Sequence, residues 1–238
     1  MNPAGRVLRR LGLGSYLPRN VFTLDGLPAL MQAMGWSAQP LVEGEHLDGY
    51  QHTSDHNFRR RRDAEAIAAA ARNVARGHVL EIGTADGHTT LLLARNAPEA
   101  QITTVNLLPE QAAGAGHLVT DLPPRERIGQ VWRAAGCANV RQVFANTARW
   151  RCDVAPLALA FIDGCHDADF VVNDTELVLA AARPGTLILW HDFAPSLRAQ
   201  FDWVDAVCTG IDRLYRRRRL AGPIFHPANS LVGIYKVP

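Results

Sequence analysis

The stretch HVLEIGTADGHTTLLLARN, residues 78–96, decides the fold. Its first five residues form a short apolar run, suited to a buried strand and too brief for a helix. Gly83 and Gly87 open a turn, and a helix is predicted from about Gly87 to Asn96. Upstream, Asp63 reads as the cap of an alanine-rich helix, Ala64 to Arg76, that Gly77 ends. Downstream the alternation continues. QITTVN (101–106) reads as strand, Arg125–Ala134 as helix, NVRQVF (139–144) and LALAFID (157–163) as strands, Asp167–Ala182 as helix and GTLILWH (185–191) as strand. Pro195–Arg217 reads mostly as helix and SLVGIYKV (230–237) as a terminal strand. Near-continuous apolar strands alternating with helices predict an α/β fold, a doubly wound Rossmann-like, mostly parallel seven-stranded sheet with helices on both faces.

Residues 1–62 read as an N-terminal appendage, a substrate cap or an oligomer contact, ahead of one domain over 63–238. Leu24, Leu27, Leu30, Met31 and Met34 give it one amphipathic helix, followed by an irregular polar stretch. The composition is that of a globular chain: 238 residues, 47% hydrophobic, 20% charged and a net charge of +2. Such a weak field argues against nucleic acid as a partner. No apolar run approaches the ~20 residues of a membrane span, and the N-terminal arginines, glycines and proline break any secretory signal. Cys137, Cys152, Cys165 and Cys208 show neither zinc nor disulfide spacing, so a cytoplasmic location is expected.

In a doubly wound sheet, ligands bind beyond the C-terminal ends of the strands, where strand order reverses. The predicted tips carry Gly83 to Gly87, Asn106, Asn146 and Thr147, Asp163 to His166, and His191 with Asp192. Turn chemistry alone accounts for one or two such tips, less readily for a full row. The two glycines let a ligand approach the backbone, and Glu81 stands where it could accept from a ligand ammonium or from turn amides. Ala85 occupies the middle glycine position of a dinucleotide fingerprint, and no third glycine follows.

LEIGTADGHTTLLLA (80–94) resembles the first motif of the class I S-adenosylmethionine (SAM) dependent methyltransferases, in the form found in metal-dependent catechol and caffeoyl-CoA type O-methyltransferases and related bacterial enzymes. LAFIDGCHDADFVVNDTELVLAAARPGTLILWHDF (159–193) resembles the bacterial branch with F-I-D-G-x-H and W-H-D. The resemblance implies a SAM-dependent methyltransferase acting on a small-molecule hydroxyl. It places the cofactor against Glu81, Gly83, Thr84, Ala85, Gly87, Thr89, Asn106, Asn146, Thr147 and Asp163. It implies a divalent cation, Mg²⁺ or Mn²⁺, on Asp163, His191 and Asp192, and it puts His166 where the catechol enzymes have their catalytic lysine. Asn106 and Asn146 depart from the acidic residues usual at those positions, keeping an acceptor but losing the charge.

Plainer readings stand beside these. His166 also reads as a loop histidine bonded to backbone, and Asp163 as a helix cap. The runs Arg59–Arg62 and Arg216–Arg219 read first as solvated faces, with phosphate or nucleic acid as the sharper alternative. His52, Asp55 and His56 line the substrate mouth or lie in a loop, and Trp132, Trp150, Trp190 and Trp203 are core or pocket wall. Function therefore divides between an O-methyltransferase, an N-methyltransferase or RNA-directed methyltransferase, and a SAM-binding protein without catalysis. A homo-oligomer is compatible with each.

Overall fold

The computed structural model of the 238-residue chain describes residues 14–43, 54–74, 77–112, 122–154 and 156–238. Helix α1 (Leu17–Asn20) leads into strand β1 (Val21–Leu24) and helix α2 (Gly26–Met34), which the αL residue Gly35 ends. Helix α3 (Ser54–Arg72) precedes β2 (His78–Ile82), α4 (His88–Asn96), β3 (Gln101–Asn106), α5 (Gln130–Ala134) and β4 (Val140–Phe144). Then come β5 (Leu157–Ile162), α6 (Ala168–Ala181), β6 (Leu187–Trp190), α7 (Asp202–Arg216), β7 (Ile224–Pro227) and β8 (Gly233–Lys236).

These strands form a single sheet of order β1-β7-β8-β6-β5-β2-β3-β4, parallel except for β8, which runs against both neighbours. From β2 the chain moves outward through β3 to β4 and then returns to β5 on the other side of β2. The reversal point, where a crevice opens, thus lies between the C-terminal ends of β2 and β5. Apolar side chains cover both faces. On one, Ala66, Ile67 and Ala70 of α3 and Leu92 and Leu93 of α4 pack with Val79, Ile102, Leu159 and Leu189. On the other, Val171 and Val178 of α6 and Val207, Ile211 and Leu214 of α7 pack with Leu80, Ala160, Ile162 and Ile188. Gly210 permits the close approach of α7 to α6, since a Cβ there would stand 2.9 Å from Ala168 O and from Val171 Cβ.

The fold class is as the alternation predicts, with corrections at the edges. The sheet has eight strands rather than seven, because β1 pairs in parallel with β7, Val21 against Ile224. Neither was read from sequence, since VFTL and IFHP are four-residue segments beside turn formers and gain strand conformation by pairing, β1 with β7 and β7 also with β8. Helix α3 runs through residues 62 and 63, so Asp63 is an interior helical residue and not a cap. The helix stops at Arg72, where Asn73 accepts from Ala38 N (2.9 Å) and donates to Ala38 O (2.8 Å), tying that end to the preceding segment. The Pro195–Arg217 region divides into a short 3₁₀ turn, Pro195–Leu197, and α7.

Candidate active site

A cavity of about 560 Å³ opens at the β2–β5 reversal point. Its wall includes Gly83, Ala85, Thr89, Asn106, Asn146, Thr147, Asp163, His166, His191 and Asp192, so the structure gathers most of the sequence-derived candidates around one space. Glu81, Thr84 and Gly87 stand behind that wall.

The loop after β2 is held by its own chain. Gly83 lies at φ +101°, and a Cβ there would overlap Asp163 O at the tip of β5. Gly87, at φ +91°, leaves room for Trp132, whose Cδ1 would be 2.7 Å from an added Cβ. Asn106 Oδ1 accepts from Thr84 N (2.9 Å) and Ala85 N (3.0 Å), and Asn106 Nδ2 donates to Leu107 O (2.8 Å). The asparagine that replaces an acid thus shapes the glycine loop with its carbonyl and holds the strand end with its amine. Asn146 Oδ1 likewise serves its own turn, accepting from Ala148 N at 3.0 Å.

Glu81 is fully buried, and its Oε2 accepts from Thr90 Oγ1 and Thr104 Oγ1, each at 2.5 Å. Burial pushes its carboxyl up to about 8, against the lowering effect of the two threonines. The threonine pair thus holds one oxygen of Glu81 on the sheet face against which α4 packs.

The tips of β5 and β6 supply the ionisable cluster. Asp163 Oδ1 faces His191 Nδ1 at 3.2 Å, and Asp192 Oδ2 faces His191 Nδ1 at 3.3 Å and His166 Nε2 at 2.9 Å. Asp163 Oδ1 is also 3.6 Å from His166 Nε2. Asp192 adopts φ +53°, an uncommon conformation for a residue with a Cβ, and Trp203 Nε1 donates to its Oδ1 at 3.2 Å. Burial works to strip His166 of its proton, but hydrogen bonds donated to Asp163 and Asp192 prevail and raise its pKa to about 9. His191 is raised well above its ordinary value by Asp163 and Asp192, also against burial. Asp192 is in turn held far below the usual carboxylate range, burial being outweighed by His191 and His166.

Sequence reasoning missed several wall residues. Asp63 and Arg60 come from α3, Phe170 and Asp174 from α6, and Phe201 and Trp203 from the start of α7. Burial lifts the Asp174 carboxyl to about 6, against hydrogen bonds from Thr147 and Asn173. The available signal was slight: Asp63 stands where four arginines give way to an alanine-rich stretch, and Asp174 follows the Val171–Val172 pair by two residues. Of the tryptophans, Trp190 is core and Trp203 is wall, while Cys165 lines the cavity with a thiol that burial raises to about 11. His52 and the side chains of Asp55, His56 and Arg59 lie outside the described residues.

The sequence profile described as a methyltransferase domain matches residues 80–193, from β2 to the residue after Asp192. Residues 80–193, just under half of the chain, thus match a methyltransferase domain. The fold agrees with solved structures of low sequence identity. A Staphylococcus aureus protein assigned as a caffeoyl-CoA O-methyltransferase shares 14% identity over 98% of each chain, with a TM-score of 0.51. The S-adenosylhomocysteine-bound methyltransferase PaMTH1 of Podospora anserina shares 14% identity over 88% of this chain and 94% of its own, with a TM-score of 0.52. The O-methyltransferase NovP gives 12% identity, coverage of 73% and 78%, and a TM-score of 0.52. No curated protein matches the chain by sequence. Among the described residues, no helix is long and apolar enough to cross a membrane.

Proposed function

We propose that this methyltransferase transfers a methyl group from SAM to a hydroxyl of a small molecule with the assistance of a divalent cation. The observation that carries this reading is the meeting of Asp163, His166, His191 and Asp192 on the wall of a cavity also bounded by the glycine loop.

The residues present fit both groups. Gly83 and Ala85 offer the cofactor a bare backbone and a methyl, while Thr89 at the start of α4 and Asn106, Asn146 and Thr147 beyond β3 and β4 add polar groups. One ligand atom from each of Asp163, His191 and Asp192 lies within 4.8 Å of the others. Two carboxylates and one imidazole suit Mg²⁺ or Mn²⁺ better than a closed zinc site. SAM supplies a methyl group that is already electrophilic, and a divalent ion lowers the pKa of a hydroxyl bound to it.

The chain itself must hold the acceptor, exclude water and receive a proton. Phe170 and the tilted Phe201–Trp203 pair, 4.8 Å between ring centroids, give the acceptor an apolar wall. The hydroxyl proton is received at His166 Nε2, where Asp192 and Asp163 stabilise the imidazolium. At neutral pH that nitrogen already carries a proton in the ligand-free protein; a cation held by Asp163, His191 and Asp192 would share the charge of the two aspartates and bring the pKa of His166 back toward its ordinary value.

Incubation with methyl-labelled SAM and a panel of small hydroxyl compounds, with and without EDTA, tests the reading. Label transfer that EDTA abolishes and Mg²⁺ or Mn²⁺ restores is expected. Calorimetry detecting neither SAM nor S-adenosylhomocysteine binding would reject it. The 2.9 Å contact between His166 and Asp192 favours one alternative, metal-free transfer with the same histidine as base, for which EDTA leaves the rate unchanged and the rate climbs with pH toward about 9 as His166 loses its proton.

A further inference from the structure

Asp63 belongs to neither the glycine loop nor a strand tip, yet it reaches the ionisable cluster from α3. It is only 5% exposed, in a helix face otherwise built of Ala64, Ala66 and Ile67. Its Oδ1 accepts both Ser230 Oγ and Leu231 N at 2.6 Å, which locks one carboxylate oxygen into the turn between β7 and β8. The other, Oδ2, is buried without a hydrogen bond and faces His191 Nε2 at 3.4 Å. The opposite nitrogen of that ring, Nδ1, faces Asp163 and Asp192. Phe161 meets the imidazole edge-on at 6.0 Å, which further limits its rotation.

We infer that Asp63 is a positioning residue that fixes, through His191, which imidazole nitrogen the tip of β6 presents to Asp163 and Asp192. This rests on the cation reading above. A carboxylate can only accept, so Asp63 Oδ2 keeps a proton on Nε2 and leaves the Nδ1 lone pair for an ion. The arrangement also makes the β7–β8 turn part of the site: Ser230 and Leu231 hold Asp63, Asp63 holds His191, and His191 meets the aspartates.

Asp63→Asn separates this role from mere support of the fold. Leu231 N can only donate, so the amide oxygen must stay opposite it and the new NH₂ must face His191. That group cannot accept from Nε2–H, and it favours the tautomer with the proton on Nδ1. The probe is Mn²⁺, its free concentration followed by electron paramagnetic resonance and its imidazole ligation by nitrogen modulation of the spin echo. S-adenosylhomocysteine calorimetry reports the integrity of the fold. Asp63→Asn should weaken Mn²⁺ at least tenfold and lose the modulation, with nucleoside binding kept, in the range usual for partners of metal-ligating histidines. Ser230→Ala should lower thermal stability but retain the modulation.

A second measurement needs no variant. With ¹⁵N-histidine labelling and Mg²⁺ bound, the wild type should show His191 protonated at Nε2 and bare at Nδ1. Unchanged Mn²⁺ binding and modulation in Asp63→Asn, or an Nδ1–H pattern in the wild type, overturns the role of Asp63 while sparing the cation reading. Absence of Mn²⁺ binding by the wild type overturns both.

Discussion

His166 Nε2 lies 2.9 Å from Asp192 Oδ2, joining the loop after β5 to the tip of β6 by a charge-assisted contact within the cavity wall. Asp192 is oriented for it by Trp203 from α7 and by its own left-handed backbone. His166→Ala should therefore remove the proton acceptor while leaving the glycine loop untouched. We expect kcat to fall by on the order of 10²–10⁴ with S-adenosylhomocysteine affinity nearly unchanged. A pH–rate profile that retains the acidic limb of the wild type would place the base elsewhere.

Asp163→Ala removes a carboxylate that faces both histidines. Under the cation reading, activity and Mn²⁺ binding should be lost together, and excess metal should restore neither fully. Steady-state assays across a Mn²⁺ titration check this, and full activity of the variant in EDTA would show a metal-free reaction.

Glu81 gives the fold a pH dependence that can be isolated from catalysis. Its carboxyl rises from 4.5 to about 8 in the folded protein, so folding favours the protonated form. Its stabilising contribution is complete below pH ~4.5 and is lost as pH climbs through about 8, on the order of a few kcal/mol. Urea unfolding of the ligand-free protein at pH 6 and pH 9 should show this decline. Glu81→Gln, uncharged throughout, should flatten it.

Asn106→Ala would leave Thr84 N and Ala85 N without the oxygen that now accepts from both. The loop should loosen and S-adenosylhomocysteine affinity should fall at least tenfold, because each unsatisfied amide costs about 1–3 kcal/mol. Asn106→Asp keeps that acceptor and should bind within a few-fold of wild type by calorimetry. Equal affinity of the alanine variant would mean that the loop is set by Gly83 and Thr84 alone.

Gly83→Ala should be damaging before any cofactor arrives. The new methyl would meet Asp163 O at the neighbouring tip, so β2 and β5 must part. A loss of roughly 1–3 kcal/mol or more is expected from overpacking and the positive φ. Thermal unfolding without ligand measures it; an unaltered melting temperature would show that the tips yield freely.

The central strands could be read from sequence because β2, β3, β5 and β6 are largely buried on both faces and so are written mostly in apolar and β-branched residues. Their tips follow from topology, which is why Asp163, His166, His191 and Asp192 could be named together. Asp63 and Asp174 could not, since an acid in a helix reveals its surroundings only when that helix has packed. The same holds for Asn106, whose substitution for an acid was visible while its use as a loop acceptor was not. Strands β1 and β7 escaped notice because their identity lies in each other, Val21 opposite Ile224.

That pairing also orders the assembly of the molecule. On a ribosome, β1 is made before every other strand of the sheet, but the edge it must join is created only when β7 follows α7. Closing so wide a loop contributes entropy cost with little local reward, which places this contact late in folding. Until then Phe22 and its neighbours have no ladder partner, and chains stalled before Pro223 would offer a free β1 to one another. This edge strand is thus an element through which the nascent chain is exposed to mispairing before the sheet that carries the cavity is complete.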